Sequence, residues 1–176
     1  LDMPRVQFSC EFGEKDLSTD GADTVVFYMS ANAGEALKSM SKVASGGELS
    51  RIMLAMKSVL AEQDEIPTLI FDEIDTGISG RTAQKVSEKM ALIGYNRQVI
   101  CITHLPQIAS MADVHFLIEK TVQGQITTTG IRRLKEAEQV TELARMLGGV
   151  EITEKVLENA QEMKQQAKEL KAKNCQ

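Results

Sequence analysis

Two short apolar runs with one amphipathic stretch between them constrain this chain more than any other feature. Thr68, Leu69, Ile70 and Phe71 follow Pro67 and stop abruptly at Asp72 and Glu73; residues 98–103 form a second run. From about Ser79, the residues Ala83, Val86, Met90 and Ile93 recur at helical spacing, and Gly94 reads as the stop. Unbroken apolar runs of this length read as strands buried on both faces. A strand, helix, strand order marks a parallel pair, because parallel neighbours need a crossover between them. The expected fold is therefore α/β, with a mainly parallel sheet flanked by helices.

The flanks fit around that unit. Residues 6–12 and 24–30 read as two strands joined by a polar stretch over 13–23, with Ser18, Thr19, Asp20 and Gly21 as turn chemistry. A helix is expected from Ser45-Gly46-Gly47-Glu48, because Leu49, Ile52, Met53, Met56, Val59 and Leu60 fall at offsets 0, 3, 4, 7, 10 and 11. After Thr103 the pattern predicts a short helix over 106–111, then strands over 114–119 and 125–132 turning at Gln123-Gly124. Val140, Leu143, Ala144 and Leu147 define a helix ending at Gly148-Gly149. Thr153 caps the last helix, with Ile152 and Leu157 spaced as a staple. Its stripe of Val156, Ala160, Met163, Ala167 and Leu170 could dock on this chain or on a partner, and the residues beyond 170 are expected to fray. Residues 1–150 are read as one lobe and 151–176 as its last helix and tail. The chain opens at Leu1 and enters a strand almost at once, as the continuation of a longer polypeptide would.

Composition excludes several classes. Twenty Lys and Arg against 25 Asp and Glu give a net charge of -5, so no global positive field recruits DNA or anionic lipid. Arg132, Arg133 and Lys135 read as solvated surface. The longest apolar runs, 25–29 and 52–56, are far shorter than the ~20 residues of a membrane span, and no secretion signal is visible, which makes the cytoplasm the default. Cys10, Cys101 and Cys175 are odd in number and lack a C-x-x-C pair, which argues against disulfides and zinc. Cys101 is expected in a buried strand.

Three places carry chemistry. Ser45, Gly46, Gly47 and Glu48 open a helix with uncovered N–H groups at its positive end, a natural seat for phosphate; a plain Gly-Gly turn after a serine cap has the same residues. Asp72 and Glu73 end a strand where open α/β sheets bind ligands, and their diverging side chains suit two roles, one toward Mg²⁺ and one toward a water. An acidic turn closing a strand is the alternative. Asp75, in Asp75-Thr76-Gly77, could be a turn former or an interface contact. His104 follows the second strand and could reach a terminal phosphate or an attacking water, whereas His115 reads as a satisfied structural residue.

The order of these features along one sheet edge resembles the carboxyl-terminal lobe of an ABC-type ATPase head. Ala44 to Glu48 resemble its signature motif, Leu69 to Glu73 its Walker B strand, Asp75-Thr76-Gly77 its D-loop and His104 its switch histidine. Within that superfamily the blocks Lys42 to Arg51, Phe71 to Gly80 and Ile102 to Ala109 resemble the RecN family of bacterial DNA repair proteins, relatives of SMC chromosome-maintenance proteins. The resemblance runs from about Leu1 to Leu147.

That resemblance implies a partial P-loop NTPase lobe, incomplete without an amino-terminal lobe of the same protein across a long coiled coil. None of the 12 glycines opens a G-x-x-x-x-G-K-[ST] phosphate loop, as a lone carboxyl-terminal lobe requires, and no G-x-G-x-x-G occurs. The family implies ATP as ligand, Mg²⁺ held through Asp72, and Glu73 and His104 in catalysis. It also implies Ser45, Gly46, Gly47, Glu48 and Asp75 in nucleotide binding, and a second head paired through ATP. Double-strand-break repair on DNA, a nucleoid location and an inactive isolated lobe follow from the same likeness. A transporter ATPase or other SMC-like lobe, or an inert dimerisation scaffold, would share much of this pattern. A Ser-His-Asp hydrolase would need a G-x-S-x-G elbow that is absent.

Overall fold

The structure is a computed structural model and describes residues 5–30, 34–42, 46–60, 65–123, 126–149 and 151–174. Ser45 lies outside the described residues, as do Ala44, Cys175 and the turn at 124–125.

At the centre, β4 (Thr68–Phe71) pairs in parallel with β5 (Gln98–Cys101), and α2 (Gly80–Gly94) is the crossover. To reach them the chain first builds β1 (Gln7–Ser18), β2 (Gly21–Ser30), the two-residue β3 (Lys38–Ser39) and α1 (Gly46–Val59). The parallel register sets Phe71 opposite Cys101, which brings the carboxyl ends of both strands level. Leu69 and Phe71 bury one face against Leu54 of α1, Val86, Met90 and Ile93 of α2, and Ile108 of α3 (Pro106–Ala109). Side chains alternate across a strand, so the other face carries Ile70, Ile100 and Ile102. These are 68%, 44% and 50% exposed. The expectation of burial on both faces is corrected here: the three helices that contribute to this core all lie on the Leu69 and Phe71 side.

The entry hairpin is longer than the sequence suggests. The polar stretch over 13–23 is mostly strand, and β1 and β2 run antiparallel from Gln7 opposite Ser30 to Ser18 opposite Gly21, with a bulge between Glu14 and Ser18. Its turn is tied by Lys15 Nζ and Ser18 Oγ donating to the Asp20 carboxylate at 2.8 and 2.6 Å, and Gly21 takes φ +101°. Backbone pairing needs no apolar alternation, which is why the polar residues hid the strand.

A second hairpin, β6 (Phe116–Gln123) with β7 (Ile126–Arg133), leads to α4 (Glu136–Gly148) and α5 (Glu154–Asn174). Leu143 and Ala144 of α4 bury against Ala109 and Ala160, and a Cβ on Gly148 would stand 3.0 Å from Val156 Cγ1, so the two helices cross closely. Gly149 ends α4 at φ +71°, and Thr153 Oγ1 accepts the Val156 N–H at 3.4 Å. The stripe on α5 thus docks within this chain, and Lys164 Nζ pins the helix by donating to the carbonyls of Ser110 and Ala112 at 3.1 and 2.8 Å. Helix continues past Leu170 to Asn174, where fraying was expected. Gly94 is the last residue of α2 rather than a left-handed stop, since the cap is Tyr95 in right-handed helical geometry. Among the described residues no helix is long and apolar enough to cross a membrane.

Candidate functional site

The carboxyl ends of β4 and β5 and the start of α1 meet in one place. Ser50 Oγ donates to the Asp72 carbonyl at 3.0 Å, and a Cβ on Gly46 would lie 2.6 Å from Glu73 Oε2. A Cβ on Gly47 would meet the carbonyl oxygens of Glu73 and Thr76 and the Thr76 Cβ, all at 2.9 Å. The diglycine therefore lets the helix start sit directly on the loop that follows β4. A side chain at Gly47 would collide with backbone.

Arg51 fastens the same contact from beneath. Its guanidinium is buried, and Nη1 donates to the Thr76 carbonyl at 2.9 Å and the Ile74 carbonyl at 3.3 Å, one on either side of Asp75. Burial holds the Arg51 pKa below the usual arginine value, and the nearby Glu48 charge works against that shift. Sequence reasoning missed this role, although one signal was present: Arg51 sits next to the apolar stripe of α1, within the buried sector of an otherwise amphipathic helix.

Asp72 and Glu73 are both exposed, at the end of β4. The Glu73 N–H donates to Asp72 Oδ1 at 2.9 Å, and Thr76 N donates back to the Glu73 carbonyl at 3.0 Å. Glu73 takes φ +56°, the single left-handed non-glycine among the described residues. That conformation costs about 1 kcal/mol or more and tends to be kept where a side chain has to be aimed.

Asp75 turns the other way. It is 3% exposed, its Oδ2 accepts from Thr103 Oγ1 at 2.6 Å and from His104 N at 2.9 Å, and His104 Nδ1 lies 3.0 Å from the same oxygen. The imidazole itself is 73% exposed, so it stands at the rim on a buried anchor. Thr103, which sequence reasoning did not single out, also accepts the Leu105 N–H at 3.0 Å. Cys101 is half-buried below them, and burial, with the Asp75 and Asp72 charges, pushes its thiol up to about 12.

The structure thus brings Gly46, Gly47, Asp72, Glu73, Asp75 and His104 to one rim. Glu48 lies in the first turn of α1. His115 lies elsewhere, just before β6; its Nδ1 is buried without a hydrogen-bond partner, so it is not the satisfied residue expected, and burial lowers its pKa. Among the described residues no group of three or more His, Cys, Asp or Glu could cage a metal ion. An exposed carboxylate at a strand end suits instead a hard cation that keeps most of its waters, as Mg²⁺ does.

This architecture matches solved heads of known type. The Smc head domain with a coiled coil and joint derived from Pyrococcus yayanosii superposes with a TM-score of 0.55 at 19% identity, covering 80% of this chain and 26% of that one. The chain accordingly shares the α/β fold of such a head domain. No family model matches the chain. Curated relatives are more specific: DNA repair protein RecN of Bacillus subtilis (strain 168) is 50% identical over 155 residues, and that of Halalkalibacterium halodurans 48% identical over 168. These alignments cover 88% and 93% of this chain but 27% and 30% of the relatives' own length. The chain belongs to the RecN family and corresponds to the carboxyl-terminal part of its members.

Proposed function

We propose that this lobe supplies half of an ATP hydrolysis and head-pairing site in a RecN-type protein that repairs DNA double-strand breaks. The observation that carries the reading is the meeting of the α1 start with the Glu73 loop, beside a histidine anchored from β5. Phosphoryl transfer is catalysed mainly by placement and charge stabilisation, and a few polar groups on one rim can provide that.

In this reading Glu73 orients the attacking water and accepts its proton, with its left-handed backbone aiming the carboxylate off the end of β4. Asp72 holds the Mg²⁺ shell through water, and the cation supplies charge neutralisation on the phosphates when bound. His104 contacts the terminal phosphate. Ser45, Gly46, Gly47 and Glu48 present N–H groups and the helix's positive end to a nucleotide carried by a second head, so ATP joins two copies and hydrolysis parts them. The loop from Asp75 to Gly77 lies between the two functions, held by Arg51 from α1.

The phosphate loop belongs to an amino-terminal lobe of the same protein. The open apolar face of Ile70, Ile100 and Ile102 is the surface such a lobe would cover. Residues 1–150 form the lobe in this account and 151–176 its closing helix. The isolated lobe turns over no ATP. The full protein works in the bacterial cytoplasm on the nucleoid, with DNA contacted through parts of the whole assembly.

Glu73→Gln in the full-length protein tests the assignment. Expected are retained ATP binding and head pairing, with turnover lowered by about 10²–10⁴-fold. Turnover at the unmodified rate would refute it.

A further inference from the structure

We infer that the cleft between the start of α4 and one face of α5 is a binding site for a phosphate group, separate from the rim at the ends of β4 and β5. The cleft shares no lining residue with that rim and has a volume of about 820 Å³. Small-ligand sites usually occupy about 300–1,000 Å³. Its lining includes five cations: Arg133 at the end of β7, Lys135 just before α4, and Lys164, Lys168 and Lys171 along α5. Spacings of four and three residues put the three lysines on one face of α5. Arg133 and Lys135 come from the facing wall. Among the described lining residues the carboxylates are Asp113 and Glu136, so positive charge is in excess here although the whole chain carries a net charge of -5.

The innermost charge is a cation and the acids lie outside it. Lys164 is 8% exposed, and its ammonium donates to the carbonyls of Ser110 and Ala112. An ammonium has three donors, so one N–H is left without a protein acceptor among the described residues. Burial holds the Lys164 pKa below the usual lysine value, and the Lys171 and Lys168 charges push it the same way. A bound anion would relieve that repulsion. Lys168 and Lys171 pair with Glu136 and Asp113, but these carboxylates are 74% and 85% exposed, and ion pairs so open to water contribute little. Arg133 differs from its neighbour on β7. The Arg132 guanidinium is taken by Glu119 at 3.6 Å and Glu138 at 2.8 Å, whereas that of Arg133 has no such partner among the described residues. Buried Leu134, Met111 and Ala167 give the cleft an apolar floor. Lysine and arginine donors converging from two walls suit a phosphate, which accepts several charge-assisted hydrogen bonds at once. Inorganic phosphate and a nucleic-acid backbone present the same oxygens, and the test separates them.

The test uses the full-length protein and two probes, inorganic phosphate and a short single-stranded oligonucleotide. Acetylation of amines, read by mass spectrometry, should show Lys168 and Lys171 protected by a bound probe, with exposed Lys120 on β6 unchanged. Arg133→Gln should weaken binding of the protecting probe about tenfold, the loss expected for one charged donor. Arg132→Gln makes the same charge change on the opposite face of β7 and should weaken it less than about twofold. Protection by phosphate assigns a site for the free anion, and protection by the oligonucleotide alone assigns the nucleic-acid backbone. Protection by neither probe, or equal weakening by the two arginine variants, would overturn the inference and leave the hydrolysis site standing. Should Arg133→Gln fold poorly, the protection pattern of the unmodified protein decides.

Discussion

Gly47 and Glu73 stand so close that the Cβ which Gly47 lacks would lie 2.9 Å from the Glu73 carbonyl oxygen. The glycine is therefore a packing requirement as well as part of a helix start. Gly47→Ala should destabilise the protein by about 1–3 kcal/mol, because the atoms in the way are mostly backbone and cannot rotate aside. Gly94, at the end of α2, meets nothing within 4 Å, so Gly94→Ala should be neutral or stabilise by up to ~1 kcal/mol. Chemical denaturation of the two variants checks the contrast.

Removing Arg51 should loosen the loop more than the helix. Arg51→Met strips the donor from two carbonyls, those of Ile74 and Thr76, and leaving a buried acceptor unpaired costs about 1–3 kcal/mol. Amide exchange at Thr76 and Ile78, whose N–H groups close the turns back to Glu73 and Asp75, should accelerate while exchange in the body of α2 does not. Equal acceleration in both places would contradict the specific grip.

Cys101 makes the fold sensitive to alkali. Between pH 9 and about 12 an unfolded thiol has lost its proton while the folded one keeps it, so stability falls as pH rises through that window. The slope attributable to this group is at most about 1.4 kcal/mol per pH unit, and Cys101→Ala should flatten it. Alkaline unfolding curves of the two proteins make the comparison.

The orphaned imidazole of His115 acts at the opposite end. Burial holds its folded pKa below 6.5, so its neutral form is favoured, and the stability present above pH 6.5 is lost as pH falls through the lowered value. His115→Leu should reduce the dependence of stability on pH below 6.5. Thermal melting across that range reads it.

The sequence showed the parallel unit clearly because the apolar runs at 68–71 and 98–103 have no other economical reading around an amphipathic helix. The exposure of Ile70 was not legible, since a run of apolar residues says that a cover is needed and not whether the chain itself provides one. Residues 13–18 were hidden for the opposite reason: they pair through backbone alone. At the site, each motif could be seen singly, but the bond from Asp75 to a histidine 29 positions later depends on register. Only the pairing of Phe71 with Cys101 brings those two strand ends level. Arg51 escaped because a charged residue in a helix reads as surface unless its carbonyl partners are known.

The most direct measurement is the structure of the full-length Glu73→Gln protein with Mg²⁺ and ATP. The account predicts nucleotide sandwiched between two heads, with Asp72 on the cation's water shell, His104 at the terminal phosphate and the Gly46-Gly47 helix start facing the nucleotide of the opposite head. Nucleotide bound away from the carboxyl ends of β4 and β5, or heads that pair without it, would contradict the account.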